Sequence, residues 1–250
     1  MILILAAIFF VLILLIGGER GAMSLIALCG NIIVFIAMIL LMSSGIWPVL
    51  VTIAGSLFIN GITLLYQNGR NKKTIAAVIS VACVMLVLFV GVFLIGSRMH
   101  LNGLNEIELK GDLSMYYSFN IHIDMNMVCI SLIIIGLLGA VMDTAVAISS
   151  AIYEVHVNNP SLSKKMLFRS GITMGRDVLA TTLNTLYFAY IGEALMLFLY
   201  LQKYNYSVVQ MINSKAFLQD FSCIMFSAIG CLIVIPLSAY VSSTMFKDWD

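Results

Sequence analysis

Charge is what this chain has least of. Asp, Glu, Lys and Arg together make up 10% of its 250 residues, beside 3 prolines, 3 histidines and 2 tryptophans. A soluble domain keeps about a quarter of its residues charged so that its surface stays in water. That shortage excludes a soluble enzyme and a disordered tail. The 13 basic and 12 acidic side chains nearly cancel, for a formal net charge of +1. With no overall field to draw in phosphates, a nucleic-acid binder is excluded as well. What is there instead is hydrocarbon: 62% of the residues are hydrophobic and the mean hydropathy is +1.07. The expected fold class is an all-α polytopic membrane protein with the lipid bilayer as its solvent.

Cysteine is sparse too, and its placement excludes two further classes. Cys29, Cys83, Cys129, Cys223 and Cys231 lie in apolar runs, odd in number and without C-x-x-C spacing. They read as small buried hydrophobes, so neither a disulfide framework nor a zinc site is expected. His122 and Asp124 would offer two metal ligands on a loop, too few for a site. The 16 methionines are scattered through the apolar runs as core filling. No metal and no cofactor is expected. The opening run MILILAAIFFVLILLIGGER has its basic residue, Arg20, after the apolar stretch rather than before it. A retained first span is the better reading than a cleaved signal.

Crossing ~30 Å of hydrocarbon takes about 20 apolar residues in a helix. Residues 2–16 are short but uncharged. From Gly21 to Gly69 there are 49 residues without a charge, room for spans at 23–42 and 48–66 with Ser43 to Pro48 as the break. Further spans are expected at 75–96, 127–151, 176–200 and 222–243, seven in all. Arg20, Arg70, Lys72, Lys73, Lys164, Lys165, Arg169 and Lys247 fall on one side; Arg98, Lys110, Lys203 and Lys215 fall on the other. The richer side should be cytoplasmic, which puts the amino terminus outside and the carboxyl terminus inside. The expected organisation is four helices over 1–96, an extracytoplasmic loop over 97–126, and a three-helix polar core over 127–250. Within that core, residues 152–175 are expected to form a cytoplasmic segment with a short helix at the interface.

A charge at the bilayer centre costs roughly 2.5–3.5 kcal/mol even on a lenient insertion scale, so such residues face protein or water. Asp143 lies well inside the fifth expected span, on one face with Gly136, Ala140, Ala147, Ser150 and Glu154. Gly136, Gly139, Ala140 and Ala147 are the candidate helix-packing residues, small enough to admit a neighbouring helix. In the sixth span Asp177, Ala180, Thr181, Asn184 and Phe188 share a face, with Thr173 and Arg176 just below. The two spans run antiparallel. Asp143, Arg176, Asp177, Thr181 and Asn184 are therefore expected to meet in one buried hydrogen-bonded cluster, a candidate proton or ion relay. The competing reading treats the hydroxyls and amides as helix–helix glue, worth only about 0.6 kcal/mol each in a bilayer. Asp143 resists it, because Asn would supply the same hydrogen bond without the charge. Glu193 reads as a solvated end-charge, and Tyr187, Tyr190 and Trp47 as packing or interfacial residues. No nucleophile–base or metal set accompanies Asp143, so an enzyme is not expected.

The stretch GLLGAVMDTAVAISSAIYEVHVNNPSLSKKMLFRSGITMGRDVLATTLNTLYFAYIGEAL resembles the YibE/F-like family of bacterial membrane proteins. Its marks are an Asp-bearing glycine-rich helix, a Glu, an Asn-Pro turn, Arg-Ser-Gly, Gly-Arg-Asp and Asn-Thr-Leu. The resemblance implies a multi-pass protein of the bacterial cell membrane, of the shorter YibF type, acting with a longer YibE-type partner. More loosely, the Asp-bearing helix, the segment after it and the returning polar helix are similar to the membrane half-repeat of SecD/SecF and RND-type exporters. That similarity implies proton-coupled transport or export with Asp143 as the proton-handling residue. The large external domain of those exporters has no counterpart here. A non-transporting membrane scaffold or assembly factor is the alternative.

Overall fold

The computed structural model describes residues 1–96 and 124–248, all of whose regular structure is helical. Lipid offers no hydrogen bonds to a backbone, so each apolar run satisfies its own N–H and C=O groups as a helix. The elements are α1 (Ile2–Ser43), α2 (Pro48–Asn60), α3 (Lys72–Gly96), α4 (Met125–Asn158), α5 (Lys164–Lys203), the short α6 (Val208–Ile212) and α7 (Lys215–Asp248). Among the described residues six helices are long and apolar enough to cross a bilayer. Most of the 97–126 connection, with Arg98, Lys110 and His122, lies outside the described residues.

The first two expected spans are joined as α1, but the helix is broken between them. Gly18 has φ 52° and ψ −133°, a conformation open essentially to glycine alone. Beyond the break, the Ile13 carbonyl sits where a Cβ on Gly21 would lie. Eight residues of straight helix would separate those groups by about 12 Å. The axis therefore turns sharply, and residues 2–17 and 19–43 are separate helical arms. The Ser43–Pro48 break is also present. Gly45 takes φ 89°, Trp47 is extended ahead of proline, and Pro48 opens α2, where its missing N–H costs nothing. α2 continues as one π-helical stretch, Gly61–Tyr66, and ends where the charge begins.

The expected interfacial helix within 152–175 is not a separate element. Residues up to Asn158 prolong α4, residues from Lys164 belong to α5, and only the Asn159–Ser163 turn lies between. Ser163 caps α5 by accepting a hydrogen bond from the Met166 N–H. No proline follows Pro160 until Pro236, so nothing halts the helical ladder at the hydrocarbon boundary. α5 has 40 residues, about 60 Å of helix against ~30 Å of hydrocarbon.

The core is built by α3, α4 and α7. Val81, Val84 and Val92 pack with Leu137, Val141, Ala145 and Val234, all at 0% exposure. α7 reaches α3 and α4 at Gly230, where a Cβ would lie 2.9 Å from both Leu88 and Val141. The cysteine expectation needs correcting: among the five free thiols Cys231 is buried, but Cys29 and Cys83 are exposed. In lipid an outward thiol meets hydrocarbon, so the usual pressure to bury it is absent.

Candidate functional site

α4 and α5 pack antiparallel, as the span count requires. Gly171 lies against Ile152 and Gly136 lies against Tyr190. That register brings Asp143 to about the level of Ala180 and Thr181, with Arg176 a turn or so nearer the Asn159–Ser163 turn. α7 runs parallel to α4. Thr144 lies 3.6 Å from the Cys231 thiol, and the buried Ser238 hydroxyl donates to the Ala145 carbonyl at 3.3 Å.

Depth is shared, but facing is not. From Arg176 to Met196 α5 contains no buried residue. Its partly covered stripe is Val178, Leu179, Thr182, Leu183, Leu186, Tyr190 and Ala194, while Arg176, Asp177, Thr181 and Asn184 are all exposed. The Thr181 hydroxyl donates to the Val178 carbonyl of its own helix. Asp143 is exposed as well, on the α4 face that carries Gly136, Gly139 and the half-buried Ala140, Ala147 and Ser150. Among the described residues no hydrogen bond or ion pair joins Asp143 to Arg176, Asp177, Thr181 or Asn184. The expected buried cluster is not formed. The α5 polar face is turned outward, because an apolar stripe fits the α4–α7 groove more closely than charged side chains do.

The packing residues divide likewise. A Cβ on Gly136 would lie 2.8 Å from the Cys223 Sγ, so this glycine does admit a close neighbour. Gly139 has nothing within 4 Å of that position. Gly171 and Gly175 take the role expected of it, giving room to Ile152 and Ala239 and to Ile235.

A second polar cluster, near the other end of the bundle, was not expected from the sequence. The Tyr190 hydroxyl and Cys223 thiol share a hydrogen bond of 3.0 Å between α5 and α7. Asp220 and Glu193 lie close enough to act on each other and on Cys223. The Gln219 amide donates to the Cys129 sulfur at 3.3 Å, tying α7 to α4. The available signal was Asp220 itself, a carboxylate just ahead of the expected 222–243 span. The observed helix starts earlier, at Lys215, and takes Asp220 in. Among the described residues no three His, Cys, Asp or Glu side chains are grouped as a metal site would require.

No curated protein and no solved structure matches this chain. The profile of the YibE/F-like protein family matches residues 5–248, reaching into every helix described above, and the chain belongs to that family.

Proposed function

We propose that the protein is one subunit of a membrane assembly in the bacterial cell membrane, covered along α5 by a longer YibE-type relative, and that the assembly couples proton or ion movement to transport. One observation carries this reading: Asp143 is exposed midway along α4, with no hydrogen bond or ion pair among the described residues. A carboxylate left in hydrocarbon costs roughly 2.5–3.5 kcal/mol or more. The exposed Arg176, Asp177, Thr181 and Asn184 add to that cost on the neighbouring helix. A second chain against this surface removes the penalty and supplies the charges and amides that Asp143 lacks. Asp143 is then the proton-exchanging group, and the α5 residues orient the partner. The exporter-like reading rests on the Asp-bearing helix and the returning polar helix; its third mark, an interfacial segment, is replaced here by the ends of α4 and α5. No enzymatic step and no cofactor enters this reading.

A non-transporting scaffold is favoured by a different observation. Thr181 and Thr185 already bond to carbonyls of their own helix, so part of this face needs no chemistry beyond contact. The test uses the subunit and its relative together in proteoliposomes, with an internal pH-sensitive dye as the readout. Asp143→Asn should preserve assembly and abolish proton entry, and Asp143→Glu should retain part of it. Proton entry by the Asn variant at the wild-type rate would leave the scaffold reading standing.

A further inference from the structure

The net charge of the chain is close to zero, so any preference for anions has to be local. One cavity has such a preference built in. It measures about 240 Å³ and lies between the start of the second arm of α1 at Arg20, the connection before α3, the first turn of α3 and α4 near Ser150. Water takes about 30 Å³ per molecule, so the space exceeds what a single bridging water needs. Arg20, Gln67, Asn71, Lys73, Thr74 and Ser150 line it, and among the described residues no carboxylate does. Neither Arg20 nor Lys73 has an acidic partner among the described residues.

The lining is also held in place. The Lys73 ammonium stands over the Tyr153 ring, 5.9 Å from its centre, and the Gln67 amide donates to the Ser24 hydroxyl at 2.8 Å. Thr74 is 3% exposed, and the cavity is the space it borders. A hydroxyl bordering a cavity can donate to an acceptor bound there. The positive end of the α3 dipole adds to the same side of the space.

We infer that this cavity binds a phosphate group, supplied either by an anionic lipid headgroup or by a free phosphate. Arg20 and Lys73 provide the charge, Thr74 and Ser150 the hydroxyls, and Gln67 and Asn71 the amide donors. Ser150 shares a helix face with Asp143 seven residues earlier, so the cavity lies about 10 Å along α4 from that carboxylate. The inference stands apart from the transport reading, because it concerns binding and needs no flux.

The experiment uses the full chain in a neutral detergent. Equilibrium dialysis against labelled inorganic phosphate tests the free anion. Native mass measurement with phosphatidylglycerol, and with a diacylglycerol of matched chains, tests the headgroup. One equivalent of phosphate, or retention of phosphatidylglycerol but not of diacylglycerol, supports the site and names its source. Arg20→Gln with Lys73→Gln should weaken that binding more than about tenfold. Arg20→Lys with Lys73→Arg should restore it, and Lys165→Gln with Arg169→Gln, away from the cavity, should leave it unchanged. Should the neutral pair fail to fold, Thr74→Val, which keeps the shape and deletes the hydroxyl, is held to a loss of binding in its place. Absence of both ligands from the wild type, or undiminished binding by the folded variants, would overturn the inference.

Discussion

Along α4, Ile133, Ile134, Leu137, Leu138, Val141, Ala145 and Ile148 are buried by the helices around it, whereas from Arg176 to Met196 α5 has not one buried side chain. Both helices are long, both are apolar enough to cross a bilayer, and both carry acidic residues within their length. The difference lies in how each is held. α4 packs along its length against α3 and α7. α5 is buried only near its ends, by Gly171, Gly175 and Leu167 near one turn and by Leu197 and Leu201 near the other, and between them it rests on half-covered side chains and the Tyr190–Cys223 hydrogen bond. Lipid does not drive helices together as water does, so packing and polar contacts decide which ones stay. A helix seated by half-covered side chains along one side, with its charges outward, leaves a polar face on which its own bundle makes no contact among the described residues.

The largest expected effects come from substitutions that separate the two helices. Leu137→Ala, at 0% exposure, should lower the stability of the detergent-extracted protein by about 2–5 kcal/mol. Leu195→Ala, at 58% exposure on α5, should leave it within about 0.5 kcal/mol. Thermal unfolding followed by thiol labelling reads both, and equal losses would erase the contrast. Next come the glycines that seat α5. Gly175→Leu drives a side chain into Ile235 and should cost about 1–3 kcal/mol, whereas Gly192→Leu meets nothing within 4 Å and should be tolerated. Protease accessibility of the Asn159–Ser163 turn provides a second readout, since unseating α5 should expose it. The smallest effect is at the α5–α7 hydrogen bond. Tyr190→Phe removes the bond to Cys223 and should cost about 0.6 kcal/mol; Tyr187→Phe, exposed one turn away, should cost nothing measurable.

The spans were legible because charge and hydrocarbon separate so cleanly along this chain. Gly69–Lys73 and the Gly45–Pro48 turn mark boundaries on which composition and backbone chemistry agree. Periodicity also told which residues share a face: Gly136, Ala140, Asp143, Ala147 and Ser150 do form one side of α4. It could not tell which way a face is turned. In a bilayer a polar stripe satisfies itself equally well against its own bundle or against another chain, and the single sequence holds no sign of the second. For that reason Arg176, Asp177, Thr181 and Asn184 were expected inward and are found outward. Tyr190 and Cys223 were missed for a related reason. Each is individually an ordinary packing residue, and only the crossing of α5 over α7 puts a hydroxyl beside a thiol.

The central claim is that another chain covers the outward face of α5. Photo-crosslinking in native membranes tests it most directly, with the probe placed at Asn184 and, separately, at the inward Leu183. The account expects the probe at 184 to yield a product heavier than the 27.4 kDa chain and the probe at 183 to react within the chain itself. Only monomer and lipid adducts at 184, from membranes in which the longer relative is present, would contradict it.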